Sequence, residues 1–294
     1  MDGNKTPQGT ERRTKVTGNA TNGWRLGERR RTSVGEVAFK VFGEGPPMVL
    51  VHGTPTRSYL WRGVVPTLAE RNRVYVYDLL GFGESERRED QDLSIAAQAR
   101  LLKELVEGWG LEQPTAVGHD IGGGIVLRAY LMEGVRFRKM ALIDSVVVTP
   151  WMPEANEHFE GYMDAYRTMP NHLFEAVVAA HFREATSPKM DQRAWEAYLS
   201  QWRGEEGKRA FLRKEEGLKE RDTAELEPRL GDIEVPVLVV WGEEDAWLDP
   251  SQADLLHQAI PDSRVKKVRG AGHFVPEDTP EEVARILTDF FATP

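Results

Sequence analysis

Residues 114–133 read Pro-Thr-Ala-Val-Gly-His-Asp-Ile-Gly-Gly-Gly-Ile-Val-Leu-Arg-Ala-Tyr-Leu-Met-Glu. A short β-branched run ends at Gly118, and an apolar helical pattern begins at Ile121. Between them, the segment Gly118-His119-Asp120-Ile121-Gly122 has the Gly-x-nucleophile-x-Gly spacing of a strand that turns sharply into a helix. Such a strained turn needs small flanking residues. By itself the motif is equally compatible with a Gly-rich turn in which Asp120 only caps the helix.

Three further segments follow predicted strands and favour a catalytic turn. His52-Gly53-Thr54-Pro55 follows an upstream apolar strand, Asp245 follows another, and Gly272-His273-Phe274 follows the last strand. The order of nucleophile, acid and histidine is that of the α/β-hydrolase superfamily. From about Val34 to its C-terminus the chain resembles this superfamily. The resemblance implies an α/β-hydrolase fold, with a mostly parallel central sheet flanked by helices and an inserted helical cap.

Patterning divides the chain into an arm, a core and a cap. Residues 1–23 are basic and poor in large apolar side chains, which predicts a flexible N-terminal arm. Residues 24–148 and 232–294 alternate strands with helices, which predicts the core. Residues 149–231 show helical periodicity only, and we interpret them as the cap. Within the cap, residues 203–222 hold thirteen charged residues in twenty, which we interpret as a solvated outer face.

Composition excludes several classes of function. The 294 residues, 40% of them apolar, suffice for one large core with an inserted subdomain. A net charge of −9 argues against general nucleic-acid binding. The absence of cysteine excludes disulfides and zinc–thiolate sites, and we expect no metal and no cofactor. No apolar run approaches the ~18 residues that span a membrane, so a soluble cytoplasmic protein without a membrane partner is expected.

An aspartate nucleophile sets the chemistry. It would attack carbon and form an alkyl–enzyme ester, which water must then hydrolyse. A histidine must activate the water, a second carboxylate must orient the imidazole, and backbone N–H groups must hold the oxyanion. We predict His273 as the base and Asp245 as the acid, with Asp144 as an alternative acid because related families place the acid at either strand end. The oxyanion donors would be the N–H groups of Thr54 and Ile121.

Aromatic and imidazole side chains near these segments are candidates for substrate contact. His181 lies on a predicted cap helix, where a packing role is the competing interpretation. His119, in the turn that carries Asp120, is interpreted as a packing residue, and His52 as a residue that shapes its own loop. The predicted substrate-binding residues are Trp61, Tyr162, Tyr166 and His181.

The aspartate nucleophile narrows the resemblance to three families: haloalkane dehalogenases, fluoroacetate dehalogenases and epoxide hydrolases. Residues 52–62 look most like haloalkane dehalogenases. Those enzymes bind the leaving halide through side-chain N–H groups, usually of a Trp after the nucleophile and an Asn after His-Gly. This chain has Ile121 and Thr54 there, and neither supplies an N–H side-chain donor. A cap donor would have to compensate, and the candidates are Trp151, Trp195 and Trp202.

The other two families fit less well. Fluoroacetate dehalogenases bind a carboxylate through arginines after the nucleophile, whereas this chain has Ile121 and Gly124, so a charged acid is not expected. Epoxide hydrolases use paired cap tyrosines, but no tyrosine follows Tyr198. We therefore predict a haloalkane-dehalogenase-like hydrolase acting on a small, mostly apolar organic substrate with water. The alternatives are an epoxide hydrolase, an ester or lactone hydrolase, and a non-catalytic ligand binder on a hydrolase scaffold.

Overall fold

The computed structural model describes residues 23–187 and 190–292, so the predicted arm lies outside the described residues except for Gly23. The strands are β1 (Glu28–Arg31), β2 (Glu36–Phe42), β3 (Pro47–Val51), β4 (Arg73–Tyr77), β5 (Thr115–His119), β6 (Met140–Ile143), β7 (Val237–Gly242) and β8 (Ser263–Val268). The α-helices are α1 (Val65–Leu68), α2 (Ile95–Gly108), α3 (Ile121–Leu131), α4 (Glu154–Gly161), α5 (Met163–Thr168), α6 (Asn171–Glu184), α7 (Gln192–Leu199), α8 (Gly204–Gly217), α9 (Arg221–Ala224), α10 (Gln252–Ala259), α11 (Val275–Asp278) and α12 (Pro280–Ala292). Short 3₁₀ helices span Ser58–Gly63, Ser200–Trp202 and Glu227–Asp232. Among these described residues, no helix is long and apolar enough to cross a membrane.

One sheet contains all eight of these strands, in the order β1-β2-β4-β3-β5-β6-β7-β8. The pairs β1–β2 and β2–β4 are antiparallel, and every other neighbouring pair is parallel. The central strands β5 and β7 are buried along their whole length, as expected where helices cover both faces of a parallel sheet. The predicted mostly parallel α/β architecture is confirmed.

The sheet separates two apolar cores, because successive residues of a strand point to opposite faces. Val49 of β3 belongs to the core that also contains side chains of α2 and α3. Leu50, the next residue, belongs to the core formed with α1 and α12. Aromatic side chains of the region between β6 and β7 extend the first core, so this region packs on one side of the molecule.

Loops at one edge of the sheet carry the predicted catalytic groups. Thr54 follows β3, Asp120 follows β5, and Asp144 follows β6. Asp245 follows β7, and His273 follows β8. The carboxyl ends of parallel strands lie at the same edge, so groups that are far apart in sequence are brought together there.

Helices alone fill the described part of residues 149–231, and no strand from this block joins the sheet. We call this helical block, residues 149–231, the cap; that it acts as a cap over the site is a proposal. Tyr198 of α7 ties the block to the core, because its hydroxyl donates a hydrogen bond to Glu277 Oε2 at 2.6 Å. Glu277 also forms an ion pair with Arg62, and both of these side chains are largely buried. The cap and core are thus joined by a buried polar contact.

The interpretation of residues 203–222 as a solvated face is wrong for part of this segment. Lys214 and Glu215 are buried, and so is Asp222, whose carboxylate accepts a backbone N–H at the start of α2 at 3.1 Å. The physical reason lies in helix geometry, since residues three and four apart share a face. Phe211 of α8 points into the apolar core, and it carries Lys214 and Glu215 inward on the same face.

Candidate active site

Asp120 occupies a strained turn between β5 and α3. Its backbone has φ 55° and ψ −125°, a combination that residues with a side chain rarely adopt. A Cβ atom on Gly118 would overlap the carbonyl of Gly122, and one on Gly122 would overlap the carbonyl of Val51. The turn expected from the Gly-x-Asp-x-Gly spacing is present, and both flanking glycines are needed for steric reasons.

The carboxylate of Asp120 is held by backbone N–H groups. Oδ1 accepts a hydrogen bond from Thr54 N at 2.6 Å, and the N–H of Ile121 also favours the ionised form. Gly53 leaves the room for this contact, because a Cβ there would overlap Oδ1. Burial alone would raise the pKa of Asp120, but the interactions with His273 outweigh burial and hold this pKa below its usual value. Asp120 is therefore ionised at neutral pH.

The His273 ring lies between two carboxylates. Nδ1 is 3.0 Å from Asp245 Oδ2, and Nε2 is 3.5 Å from Asp120 Oδ2. Burial acts to lower the pKa of His273, but the charge of Asp245 and the contact with Asp120 raise it well above its usual value. The two neighbouring carboxylates therefore favour the protonated form of the imidazole. The three side chains predicted as nucleophile, base and acid form one continuous contact.

Asp245 is fixed by the backbone of its own loop. Oδ1 accepts hydrogen bonds from Trp247 N at 2.9 Å and Leu248 N at 3.0 Å. These two bonds leave Oδ2 directed at His273 Nδ1, which is the geometry needed to fix the orientation of the imidazole.

Asp144, the alternative acid, is also buried but has a different partner. Its Oδ1 accepts a hydrogen bond from Gly242 N at 2.8 Å. Burial raises the pKa of Asp144 well above its usual value, and the nearby charge of Asp245 raises it further. The carboxylate oxygen that contacts His273 Nδ1 belongs to Asp245, so the geometry favours Asp245 over Asp144 as the acid.

His119 and His52 are buried and contact backbone groups, in line with a packing role for His119 and a loop-shaping role for His52. His119 Nε2 lies 2.8 Å from the carbonyl oxygen of His273, and burial lowers its pKa to about 4. His52 Nδ1 lies 2.9 Å from Gly53 O, and its Nε2 accepts a hydrogen bond from Leu79 N at 2.9 Å. Both rings are neutral, and their contacts with backbone atoms join loops at the edge of the sheet.

A small cavity lies between the strand ends and the cap. Its volume is about 20 Å³, which is room for about one water molecule. Both core and cap contribute to its walls. The lining includes Thr54, Asp120 and His273 from the core and Trp151, His181 and Lys214 from the cap.

The sequence model of the alpha/beta hydrolase fold family matches residues 46–280. The chain belongs to the α/β-hydrolase family. This match includes the loops that carry Thr54, Asp120, Asp245 and His273, and it also spans the inserted helices.

Known relatives and structures agree with this family. Haloalkane dehalogenase 2 of Mycobacterium tuberculosis (strain ATCC 25618 / H37Rv) is 28% identical over 268 residues, covering 88% of this α/β hydrolase and 93% of the relative. An alpha/beta hydrolase fold protein from Burkholderia ambifaria is 33% identical, with a TM-score of 0.86 and coverage of 90% and 97%. A thermophilic esterase from Thermogutta terrifontis has a TM-score of 0.74 at 24% identity, with coverage of 90% and 98%, and shows the fold alone. The chain is thus a hydrolase with a distant likeness to haloalkane dehalogenases.

Among the predicted substrate contacts of this α/β hydrolase, His181 lines the cavity. Its ring stacks on Trp247, with centroids 4.6 Å apart. Burial and the charge of Lys214 lower the pKa of His181 to about 3. His181 therefore presents a neutral ring on the cap side of the cavity.

The other three predicted substrate contacts do not line this cavity. Trp61 is fully buried in the core on the opposite face of the sheet, because its 3₁₀ helix packs against α1 and α11. Tyr162 is 60% exposed. The hydroxyl of Tyr166 lies 2.7 Å from His158 Nδ1, within the cap. Trp61, Tyr162 and Tyr166 are therefore not part of the proposed site.

Of the cap tryptophans expected to bind a leaving halide, two donate their indole N–H groups to other acceptors, and the third lies away from the cavity. Trp151 Nε1 donates a hydrogen bond to Thr223 Oγ1 at 2.7 Å. Trp202 Nε1 donates one to the carbonyl of Pro55 at 3.0 Å. Trp195 does not line the cavity. None of the three supplies the expected donor.

Two lining residues, Trp247 and Lys214, were not predicted from the sequence as part of the site. Trp247 Nε1 is buried and has no hydrogen-bond partner among the described residues. It could have been found from its position two residues after Asp245, on the loop that carries the acid. Lys214 also lines the cavity, and its signal was its spacing of three residues from Phe211 on an amphipathic helix.

Proposed function

We propose that this α/β hydrolase cleaves carbon–halogen bonds through a covalent alkyl ester on Asp120, as a haloalkane-dehalogenase-like enzyme. One observation carries the proposal: the strained turn bears a carboxylate whose Oδ1 is held by Thr54 N–H and whose Oδ2 lies 3.5 Å from His273. A carboxylate in this position needs no base to become nucleophilic, because it is already ionised at neutral pH.

Displacement of the halide is the first step. Oδ2 of Asp120 attacks the substrate carbon while the carbon–halogen bond breaks and the halide leaves with the bonding electrons. Oδ1 keeps its hydrogen bond from the N–H group of Thr54 and becomes the carbonyl oxygen of the ester. This donor is thus in place before charge develops on this oxygen in the next step.

Hydrolysis of the ester is the second step, and it needs a neutral His273. Ester formation removes the charge of Asp120, so the pKa of His273 falls and the ring releases its proton to solvent. The neutral ring then takes a proton from water as the water oxygen attacks the ester carbonyl. Asp245 stabilises the imidazolium, which protonates the departing alkoxide as the ester bond breaks.

Trapping of the ester tests this function. With 1-bromopropane, His273→Gln is expected to release one bromide and accumulate a propyl adduct on the peptide containing Asp120, seen by mass spectrometry. Asp120→Asn is expected to form no adduct. Continued turnover by His273→Gln without an adduct would contradict the mechanism. Absence of adducts and products with haloalkanes, epoxides and esters alike would favour a non-catalytic binder.

Epoxide hydrolysis is the weaker alternative for this site. It requires a proton donor for the opening oxygen, usually a pair of cap tyrosines. Neither Tyr162 nor Tyr166 lines the cavity, and Tyr198 donates its hydroxyl proton to Glu277. None of these three tyrosines is therefore placed to protonate the oxygen of an opening epoxide.

A further inference from the structure

Lys214 is a buried cation with unused donors in the cavity. Its side chain is 2% exposed, and its ammonium lies 4.0 Å from the centroid of the Phe211 ring. Among the described residues, Glu215 is the one hydrogen-bond acceptor that meets Nζ. An ammonium carries three N–H donors, and a buried donor without an acceptor is costly. The remaining N–H groups of Lys214 therefore have room for an acceptor supplied by a ligand.

A small polar network fixes the ammonium in place. Glu215 pairs with Lys214 through Oε1 and accepts a hydrogen bond from Asn156 Nδ2 through Oε2 at 2.8 Å. The Glu215 side chain is also 2% exposed, so water screens the pair little. Asn156 and Lys214 line the same cavity as Asp120. The network therefore fixes the position of a cationic side chain in the lining that Asp120 shares.

We propose that Lys214 determines substrate specificity by donating a hydrogen bond to a neutral acceptor on the substrate. The favoured substrates are then small α-halocarbonyl compounds, such as haloamides, rather than plain haloalkanes. This inference rests on the proposed carbon–halogen hydrolysis. Because the cavity is small and Lys214 and Asp120 both line it, a group that reaches Nζ lies only a few bonds from the reacting carbon.

Charge decides between a neutral and an anionic acceptor. Glu215 already neutralises Lys214, and the ionised Asp120 lines the same cavity. A substrate carboxylate would bring a further negative charge close to both, and like charges at short range are unfavourable. A carbonyl oxygen of an amide or ester accepts the hydrogen bond without this repulsion.

A purely structural role for Lys214 is the competing explanation. The pair with Glu215, extended by Asn156, links α8 to α4 and would contribute to the stability of the cap. That role uses one N–H of the ammonium and leaves the others without an acceptor. A structural role predicts equal losses on all substrates, whereas a specificity role predicts a loss that depends on the acceptor.

Three bromides with the same leaving group separate these roles: bromoacetamide, bromoacetate and 1-bromo-2-methylpropane. The last has the same number of non-hydrogen atoms as bromoacetamide but no acceptor. The test variant is the double substitution Lys214→Met with Glu215→Gln, which leaves no unpaired buried charge and keeps an acceptor for Asn156. Glu215→Gln alone is the matched control, because it retains Lys214. Circular dichroism verifies that each variant folds.

The measured quantity is kcat/KM for bromide release, expressed for each substrate as variant over wild type so that intrinsic reactivity cancels. The double variant is expected to lose about tenfold or more on bromoacetamide relative to 1-bromo-2-methylpropane, the worth of a hydrogen bond to a charged donor. Glu215→Gln is expected to keep the wild-type preference for bromoacetamide over 1-bromo-2-methylpropane, while its preference against bromoacetate weakens because Lys214 is no longer neutralised. Wild type is expected to favour bromoacetamide over bromoacetate. Equal losses on bromoacetamide and 1-bromo-2-methylpropane overturn the inference.

Binding of propionamide keeps the inference separate from the proposed chemistry. In this molecule a methyl group replaces bromine, so it cannot alkylate the enzyme. In wild-type protein, propionamide is expected to shift the NMR resonance of the Lys214 Cε group, and propionate is expected to do so less. If no bromide is released but this shift occurs, the hydrolysis fails and the acceptor site stands. If bromide is released but propionamide leaves Lys214 unchanged, the site fails and the hydrolysis stands.

Discussion

His273 Nε2 lies 3.5 Å from Asp120 Oδ2, on the side of the ring opposite Asp245. The two carboxylates together raise the pKa of His273 against the effect of burial. Loss of one carboxylate charge, as in an ester of Asp120, therefore converts His273 from a cation towards a neutral base. In the proposed mechanism, formation of the ester would thus favour the neutral His273 that hydrolysis of the ester requires.

Asp120→Asn is expected to lower the pKa of His273, measured by NMR titration of the ring. A raised His273 pKa stabilises the folded protein fully below about 6.5, the unfolded value, and this contribution is lost as the pH rises through the folded pKa. The loss of unfolding free energy over that range is therefore expected to be smaller in Asp120→Asn than in wild type. An unchanged His273 pKa would contradict the coupling.

Asp245→Asn is expected to reduce turnover by about 10³- to 10⁴-fold, as when an acid that orients a catalytic histidine becomes an amide. Asp144→Asn is expected to cost less than about tenfold, because a protonated carboxyl and an amide are both neutral and both can accept the Gly242 N–H. The check is kcat of both variants at neutral pH. Equal or reversed losses would assign the acid to Asp144.

A single turnover in heavy-oxygen water is expected to label the Asp120 carboxylate and not the released alcohol. Water attacks the ester carbonyl, so the alcohol departs with an oxygen that began on the enzyme. Mass spectrometry of the Asp120 peptide and of the alcohol measures both fates. Label in the alcohol on the first turnover would mean direct attack by water, with Asp120 acting as a general base.

Gly53→Ala is expected to lower turnover by about 100-fold, because displacement of a reacting group by about 1 Å has effects of this size. Its Cβ would overlap Oδ1 of Asp120 and displace the carboxylate from the Thr54 N–H. Gly231→Ala is the matched control, since a Cβ there meets no atom within 4 Å, and its unfolding free energy should change by less than about 0.5 kcal/mol. Wild-type activity in Gly53→Ala would rule out this positioning.

Glu277→Gln is expected to lower the free energy of unfolding by about 3 kcal/mol, because it leaves the largely buried Arg62 without its charged partner. Tyr198→Phe removes only the hydroxyl that joins the cap to Glu277 and is expected to cost about 1 kcal/mol. Denaturant unfolding monitored by circular dichroism measures both. A smaller loss in Glu277→Gln than in Tyr198→Phe would show that the ion pair contributes little.

The elements that the sequence predicted well depend on local constraints. The glycines on both sides of Asp120 predict the strained turn, because the backbone there excludes residues with a larger side chain. The proximity of Asp245 and His273 could be predicted because each follows an apolar strand, and the ends of parallel strands meet at one edge of the sheet. These features need no knowledge of how distant segments pack.

The locations of the residues that the sequence did not predict depend on packing between distant segments. Trp61 belongs to a motif-like segment, but the face of the sheet that its ring covers depends on how its 3₁₀ helix packs against α1 and α11. Lys214 sits in a highly charged segment, and its burial depends on Glu215, Asn156 and the aromatic core of the cap. Charge content along the chain predicts solvation on average, and it does not identify the single cation that finds buried partners.

The cavity of about 20 Å³ is too small for a substrate of even a few heavy atoms. If residues 149–231 act as the proposed cap, their helices would have to separate for a substrate to reach Asp120 and again for the product to leave. Under that proposal, the frequency of these openings sets a ceiling on the rate of turnover. Bulky molecules would need wider and rarer openings than small ones, so a closed cap would select substrates by size before any bond is broken.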